Sequence, residues 1–221
     1  MNTRKLPGRL HIVVLSVAMA CFALPAHTAD VGVTAGVGTL GAGLAFSFGV
    51  SERFNARLGY ARYTDDREFE DSDLEFEGEV TVGGIFALAD FFPFNGVFRL
   101  TGGLINNNNE VTGDAGVTDD VDIGDGTYDV GSLSANIEFE SIAPYIGIGW
   151  DNTARGGRGF AASFDLGFMY QGGATVNLRA VGGDADLPSF EDDLRREEKN
   201  IEDDISADFY PVVALGLGWT F

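Results

Sequence analysis

The chain has 221 residues, with 34 acidic against 14 Lys and Arg side chains and a formal net charge of −20. Its mean hydropathy is +0.05. That acidity excludes nucleic-acid binding, which needs basic patches against phosphate, and a mean near zero fits neither a helical membrane bundle nor a disordered acidic chain. Eighteen Phe, 31 Gly and only 6 Pro suit alternating strands that approach one another closely.

Arg4, Lys5 and Arg9 precede an apolar run over 10–24. The run is too short to span a bilayer as a helix and long enough for the core of an export signal. Cleavage is predicted after Ala29, although His27 occupies the −3 position. A lipoprotein reading through Cys21 lacks the usual Leu at −3, and the apolar run continues past it. Residues 1–29 are therefore read as a signal peptide and 30–221 as one barrel domain. Residues 30–221 contain neither Cys nor His. No disulfide framework can form there. His-based or Cys-based catalysis is excluded, and the preferred transition-metal ligands are missing, so the reading is a non-enzyme without a cofactor.

Alternation with period two marks a strand. The first is predicted over 30–38, with Val31, Val33, Ala35 and Val37 opposite Gly32, Thr34, Gly36 and Gly38. A tight turn follows, then strands over 40–50 (Leu44, Phe46, Phe48, Val50 on one face), 53–63 (Phe54, Ala56, Leu58, Tyr60) and 74–90 (Val80, Val82, Phe86, Leu88). Next come 97–106 (Phe98, Leu100, Leu104) and 133–150, where the apolar phase slips between Ile137 and Ile146 and a bulge is expected near Pro144. The strand over 159–170 alternates most cleanly, from Phe160 to Tyr170. The last, 207–221, carries Val213, Leu215, Leu217, Trp219 and Phe221 opposite Ala214, Gly216, Gly218 and Thr220. A large apolar face opposite a small one suits lipid outside and a narrow lumen inside. The terminal Phe221 resembles the aromatic ending of bacterial outer-membrane barrels.

The connections alternate between short and long. Short periplasmic turns and long outer loops are the rule for such barrels. The prediction is an all-β, eight-stranded antiparallel transmembrane up-and-down barrel with both termini in the periplasm of a Gram-negative cell, acting as a monomer. A soluble lipocalin-like barrel is the structural alternative, but its interior face would be apolar.

Within the likely bilayer segments of these strands the charged residues are Arg57, Arg99 and Asp165, and all three fall on the small-residue parity, facing the lumen. An Arg facing mid-bilayer lipid would cost about 2–4 kcal/mol. They can form a structural ion cluster that plugs the bore or a selectivity constriction in an open one. Small inward residues such as Gly43, Gly83, Ala87 and Gly216 leave room for either.

The outer loops hold 29 of the 34 acidic groups. Glu75, Glu77 and Glu79 alternate on one strand face and are predicted to form a ladder pointing inward at the mouth, joined by Glu138 and Glu140. Such a rim concentrates cations; equally, it can be a solvated surface that keeps loops apart, or bridge through divalent ions to lipopolysaccharide phosphates. The run from Asp119 through Asp122 and Asp125 to Gly126 looks like a calcium loop, but Gly124 stands where a ligand belongs and no Glu follows at position 12. A helix is predicted over 188–205. Ser189 and Asp192 form a capping box, Phe190, Leu194, Ile201 and Ile205 share a face, and Glu191–Arg195 and Asp192–Arg196 make i,i+4 pairs. It packs across the mouth, either shielding strand edges or acting as a lid.

Residues 142–149, with Pro144 and Tyr145 before Ile146, Gly147, Ile148 and Gly149, are followed by Gly159 and Phe160. Leu166, Gly167, Tyr170 and Gly172 come next, and then Glu197, Glu198, Lys199 and Asn200 ahead of the final strand. This order resembles the CarO-type family of small outer-membrane barrels, from about Gly36 to the C-terminus. The resemblance implies uptake of ornithine and other basic amino acids, and a link to carbapenem susceptibility in one genus. No ligand residues are transferred. The leading expectation is a narrow channel for small, preferably cationic solutes, with outer-membrane lipid and lipopolysaccharide as surroundings. The rival is a closed structural or adhesive barrel whose acidic loops bind divalent cations or surface partners.

Overall fold

The computed structural model describes residues 30–71, 74–117, 120–124, 126–153, 157–205 and 208–221, without the side chains of 67–76. The predicted signal peptide lies outside them, as do Asp119, Asp125 and the side chain of Glu75. Eight strands close into an antiparallel barrel: β1 (Val31–Gly38), β2 (Gly41–Ser51), β3 (Phe54–Asp71), β4 (Leu74–Phe91), β5 (Phe98–Asn107), β10 (Ile142–Asp151), β11 (Gly159–Tyr170) and β13 (Phe209–Thr220). Each pairs with its neighbour in the ring. β4 pairs with β5, and β13 pairs with β1, so no edge is left in the barrel. Closure satisfies the backbone groups that an open sheet would leave bare.

The period-two pattern sets the faces. Leu44, Phe46, Leu58, Ile146, Phe168, Leu215, Leu217 and Trp219 are exposed on the outside, while Arg57, Arg99 and Asp165 are buried within. Aromatic rings gather at the short-turn end, where Phe54 stacks on Phe91 at 5.0 Å and Phe98, Trp150 and Phe164 follow one another at 5.7 Å. Tyr170 and Phe209 pair at the other end.

Strand β4 departs from expectation. Phe86 and Leu88 pack into the lumen, and Ile85 is 51% exposed. Its register with β3 is unbroken from Phe54↔Phe91 to Asp71↔Leu74, so one parity holds along the whole strand. From Glu77 to Phe91 the even residues face inward and the odd ones outward, the reverse of the sequence reading. In the lower half of β4 both faces carry apolar residues, Val82, Phe86 and Leu88 on one and Ile85, Ala87, Ala89 and Phe91 on the other, so hydrophobicity did not distinguish them. Leu40 also turns inward at the β1–β2 turn.

The long connections are not loops. β6 (Glu110–Gly116), β9 (Ser132–Glu138) and β12 (Thr175–Val181) extend the sheet beside the upper part of β4, in the order β4-β6-β9-β12. The predicted strand over 133–150 is thus two elements, β9 and β10, parted near Glu140 and Ser141. A small lobe completes this end. It contains the hairpin β7 (Val121–Ile123) with β8 (Gly126–Tyr128), a 3₁₀ turn (Gly183–Asp186) and the helix α1 (Pro188–Asp204). Phe190 is buried with Ile123, Tyr128 and Val130, against Leu133 and Ala180 of the extension. Leu133 and Ala180 sit in register with Ala115, on the face that lines the lumen lower down.

The helix starts without the predicted capping box. Leu187 is the N-cap and makes no side-chain cap bond, while Pro188 occupies the first turn, where its missing N–H is harmless. The Glu191–Arg195 pair forms at 3.3 Å; Arg196 binds Asp193 at 2.7 Å. β12 is the outer edge of the extension. Glu202 accepts from the Val176 amide at 2.9 Å and Glu198 from the Leu178 amide at 2.8 Å, so α1 blocks that edge against further pairing.

Candidate lumenal site

Four layers fill the bore. At the short-turn end Phe92, fully buried, follows Asp90 on the inward parity. Above it lie five charged side chains. Arg57 on β3 meets Asp165 on β11 through two parallel contacts of 3.0 Å, Nη1 to Oδ2 and Nη2 to Oδ1. Its Nε lies 2.8 Å from Asp90 Oδ2. Arg99 on β5 places Nη2 within 2.8 Å of both Asp165 oxygens and Nη1 at 3.4 Å from Asp90, and it contacts Asp151 as well. Thr101 donates to Asp90 at 2.7 Å, and the Thr153 amide to Asp151 at 2.6 Å. The forked guanidinium suits this planar, bidentate pairing.

The expected trio is therefore brought together, and sequence reading missed two members. Asp90 was on the wrong parity of β4. Asp151 ends β10 and was counted as a turn residue. For Asp151 the signal was the lumen-facing alternation of β10 through Gly147 and Gly149, which extends to 151; Asp90 is placed only by the pairing of β4 with β3. Two guanidiniums and three carboxylates leave the group formally one charge negative. Packing it needs Gly149, where an added Cβ would come 2.9 Å from Arg99 Nε.

The third layer is apolar: Leu40, Ile105, Ala143, Met169 and Val212, with Phe86 and Leu88 against them. Tyr145 joins this layer to the cluster. Its ring lies over Gly147 and Gly167, where an added Cβ would approach its hydroxyl to 2.4 and 2.6 Å. That hydroxyl is buried and has no hydrogen-bond partner among the described residues. The fourth layer is a belt of buried amides. Asn109 donates to Gln171 at 2.8 Å and accepts from the Gly83 amide at 2.9 Å, while Asn107 donates to the Glu140 carbonyl at 3.2 Å.

The filling is uneven. A cavity of about 100 Å³ runs between the apolar layer and the ion cluster, beside Gly36, Gly38, Gly43 and Gly216, and reaches Arg57 and Asp165. That is more than enough space to hold water.

The acidic ladder is placed differently from expectation. Thr64 and Thr81 meet at 3.1 Å, Arg62 Nε donates to Thr64 at 3.2 Å, and Thr81 donates to Glu79 at 3.3 Å. Arg62 and Thr64 continue the exposed parity of Leu58 and Tyr60, so Glu77 and Glu79 are exposed on the outer face and not aimed into the mouth. Thr81 pairs with Glu110 and Glu110 with Glu138, so Glu138 shares that face. Glu140, also exposed, lies over Gly172. The ladder follows β4, whose reversed parity carries it outward. Among the described residues no group of three or more acidic side chains is placed to hold a metal ion.

No family model matches the chain, and no curated protein does. Among solved structures, crystal structures of CarO and CarO2 from Acinetobacter baumannii are similar. CarO is 19% identical with a TM-score of 0.53, covering 86% of this chain and 97% of that one. CarO2 is 20% identical with a TM-score of 0.54, covering 88% and 100%. The resemblance read from residues 142–200 is thus matched in architecture: the chain is a closed eight-stranded antiparallel barrel with the fold of CarO.

Proposed function

We propose that the protein is an exported, monomeric outer-membrane barrel that is closed at rest and slowly passes small, preferably cationic solutes. Basic amino acids are the class the resemblance favours. The long-loop end faces the medium and the short turns face the periplasm. The observation that carries this reading is the cavity beside Arg57 and Asp165: space remains next to a charged group with a surplus carboxylate, along a wall of glycines that no side chain fills. A negative lumen favours cations over anions. Arg57, Arg99, Asp90, Asp151 and Asp165 form the constriction. Glu77, Glu79, Glu138 and Glu140 raise the local cation concentration from the outside of the rim and do not line the path. Planar-bilayer recording of residues 30–221 tests it. Small cation-selective conductance is expected; no conductance, or a preference for anions, ends it.

A closed structural barrel is the second reading. It is favoured by the apolar layer stacked on the ion cluster and by the outward aim of Glu77 and Glu79. There they would meet divalent ions and lipopolysaccharide phosphates. Under this reading, removing magnesium and calcium weakens binding to lipopolysaccharide vesicles while solute uptake of deletion cells is unchanged.

A further inference from the structure

The β1–β2 turn is short, yet it is held by more hydrogen bonds than its length requires. The Thr39 amide donates to the Val213 carbonyl at 2.9 Å. The Thr39 hydroxyl donates to the Pro211 carbonyl at 2.9 Å and accepts from the Val213 amide at 3.2 Å. The Tyr210 hydroxyl donates to the Thr39 carbonyl at 2.7 Å. These bonds tie the turn to β13 while Thr39 itself stays exposed.

The neighbouring Leu40 is buried, 8% exposed, against Ile105, Tyr145 and Val212. It also lines the cavity that reaches Arg57 and Asp165. Gly41 has φ +97°, and an added Cβ would meet the Arg62 backbone at 2.2 Å, so the turn lies tight against β3. The amide belt and the lobe stand on β5, β11 and the extension. On the β1–β2 side Tyr63, in register just beyond the Ala42↔Arg62 pair, is 51% exposed.

We infer that the Thr39–Leu40 turn is the gate of the lumen. Thr39 and Tyr210 are the latch, and Leu40 is the stopper over the cavity. Releasing the latch lets the turn lift, withdraws Leu40 and joins the cavity to the outside, while the barrel hydrogen bonds below Gly38↔Gly41 stay intact. This inference rests on the permeation reading for its purpose, but the motion can be measured without any transport.

Residues 30–221 contain no cysteine, so a single thiol reports cleanly. Ala45→Cys places it on the cavity wall. Folded protein in liposomes, confirmed by heat-modifiable mobility, is treated from outside with a small cationic thiosulfonate reagent, and the modification rate is read. Slow modification is expected with the native latch. Tyr210→Phe, which removes one hydroxyl, should speed it between about twofold and tenfold, the range spanned by the net worth of one hydrogen bond. Thr39→Val should speed it further. Tyr170→Phe, an exposed tyrosine at the same end, should leave it unchanged. Equal rates with and without the latch overturn the gate, as does acceleration by Tyr170→Phe. Acceleration by both latch variants with no conductance in bilayers keeps the gate and sinks the permeation reading instead.

Discussion

Arg57 and Asp165 stand 108 positions apart in the chain and meet across the lumen through two parallel 3.0 Å contacts. Neither is on a neighbouring strand of the other: β3 and β11 are separated around the ring in both directions. The pair therefore ties opposite walls, and its loss is felt by the whole barrel. Removing one partner of a buried, hydrogen-bonded ion pair costs about 3–5 kcal/mol, because the other charge is left unpaired. Arg57→Ala and Asp165→Asn should each lower the unfolding free energy, read from a urea titration, by that order. Replacing both Arg57 and Asp165 by apolar residues should cost less than the two single changes added together.

Asp151 supplies the third carboxylate for two guanidiniums. Asp151→Asn makes the cluster neutral while keeping an acceptor for the Thr153 amide. Cation preference, read as a reversal potential across a salt gradient, should shift toward zero in this variant with the fold retained. An unchanged reversal potential would show that selectivity is set elsewhere.

Tyr145 needs both glycines beneath its ring. Gly147→Ala would bring a Cβ 2.4 Å from the hydroxyl and 2.8 Å from the Leu166 carbonyl. Overpacking of this kind typically costs about 1–3 kcal/mol. Tyr145→Leu should recover part of that loss, and a double-mutant cycle on unfolding free energies measures the coupling. Additive costs would mean that the ring does not rest on Gly147.

Glu198 and Glu202 accept from the free edge of β12. Glu198→Ala and Glu202→Ala should each cost about 0.5–1.5 kcal/mol of local stability. Faster hydrogen exchange at the Leu178 and Val176 amides respectively would register it, with exchange in β11 and β13 unaltered.

Tyr128 in the lobe donates to Asp193 at 2.7 Å. This bond, followed by burial, raises the pKa of its hydroxyl above the ordinary 10.0. A raised folded pKa means that the stabilisation is complete below the ordinary value and is lost as pH climbs through the raised one. The lobe should therefore loosen only in strong alkali, seen as protease cutting within 117–131 or 182–205. Asp193→Asn should bring the Tyr128 ionisation back toward its ordinary pH in an ultraviolet titration.

Much of the architecture was legible because a strand's side chains repeat every two residues, and large and small residues separate cleanly on most strands. From Phe160 to Tyr170, and again from Val213 to Trp219, that contrast alone assigned the outer and inner faces and aimed Asp165 inward. The same contrast put Arg57 and Arg99 beside it, since a charge on the other parity would face the apolar belt. Where both faces were apolar or both polar, parity carried no signal. On β4, Phe86 and Leu88 competed with Ile85, Ala87 and Ala89, and only pairing with β3 decided between them. That decision moved Asp90 into the cluster and turned Glu77 and Glu79 outward. The strands at 110–116 and 175–181 were missed, and 132–138 was joined to the strand that follows it, because each of the three is only 7 residues long and gains its hydrogen bonds from distant partners. Composition and period thus determined a closed barrel with charge inside it. Register, a long-range property, decided which charges meet, what stands above them and where a cavity remains.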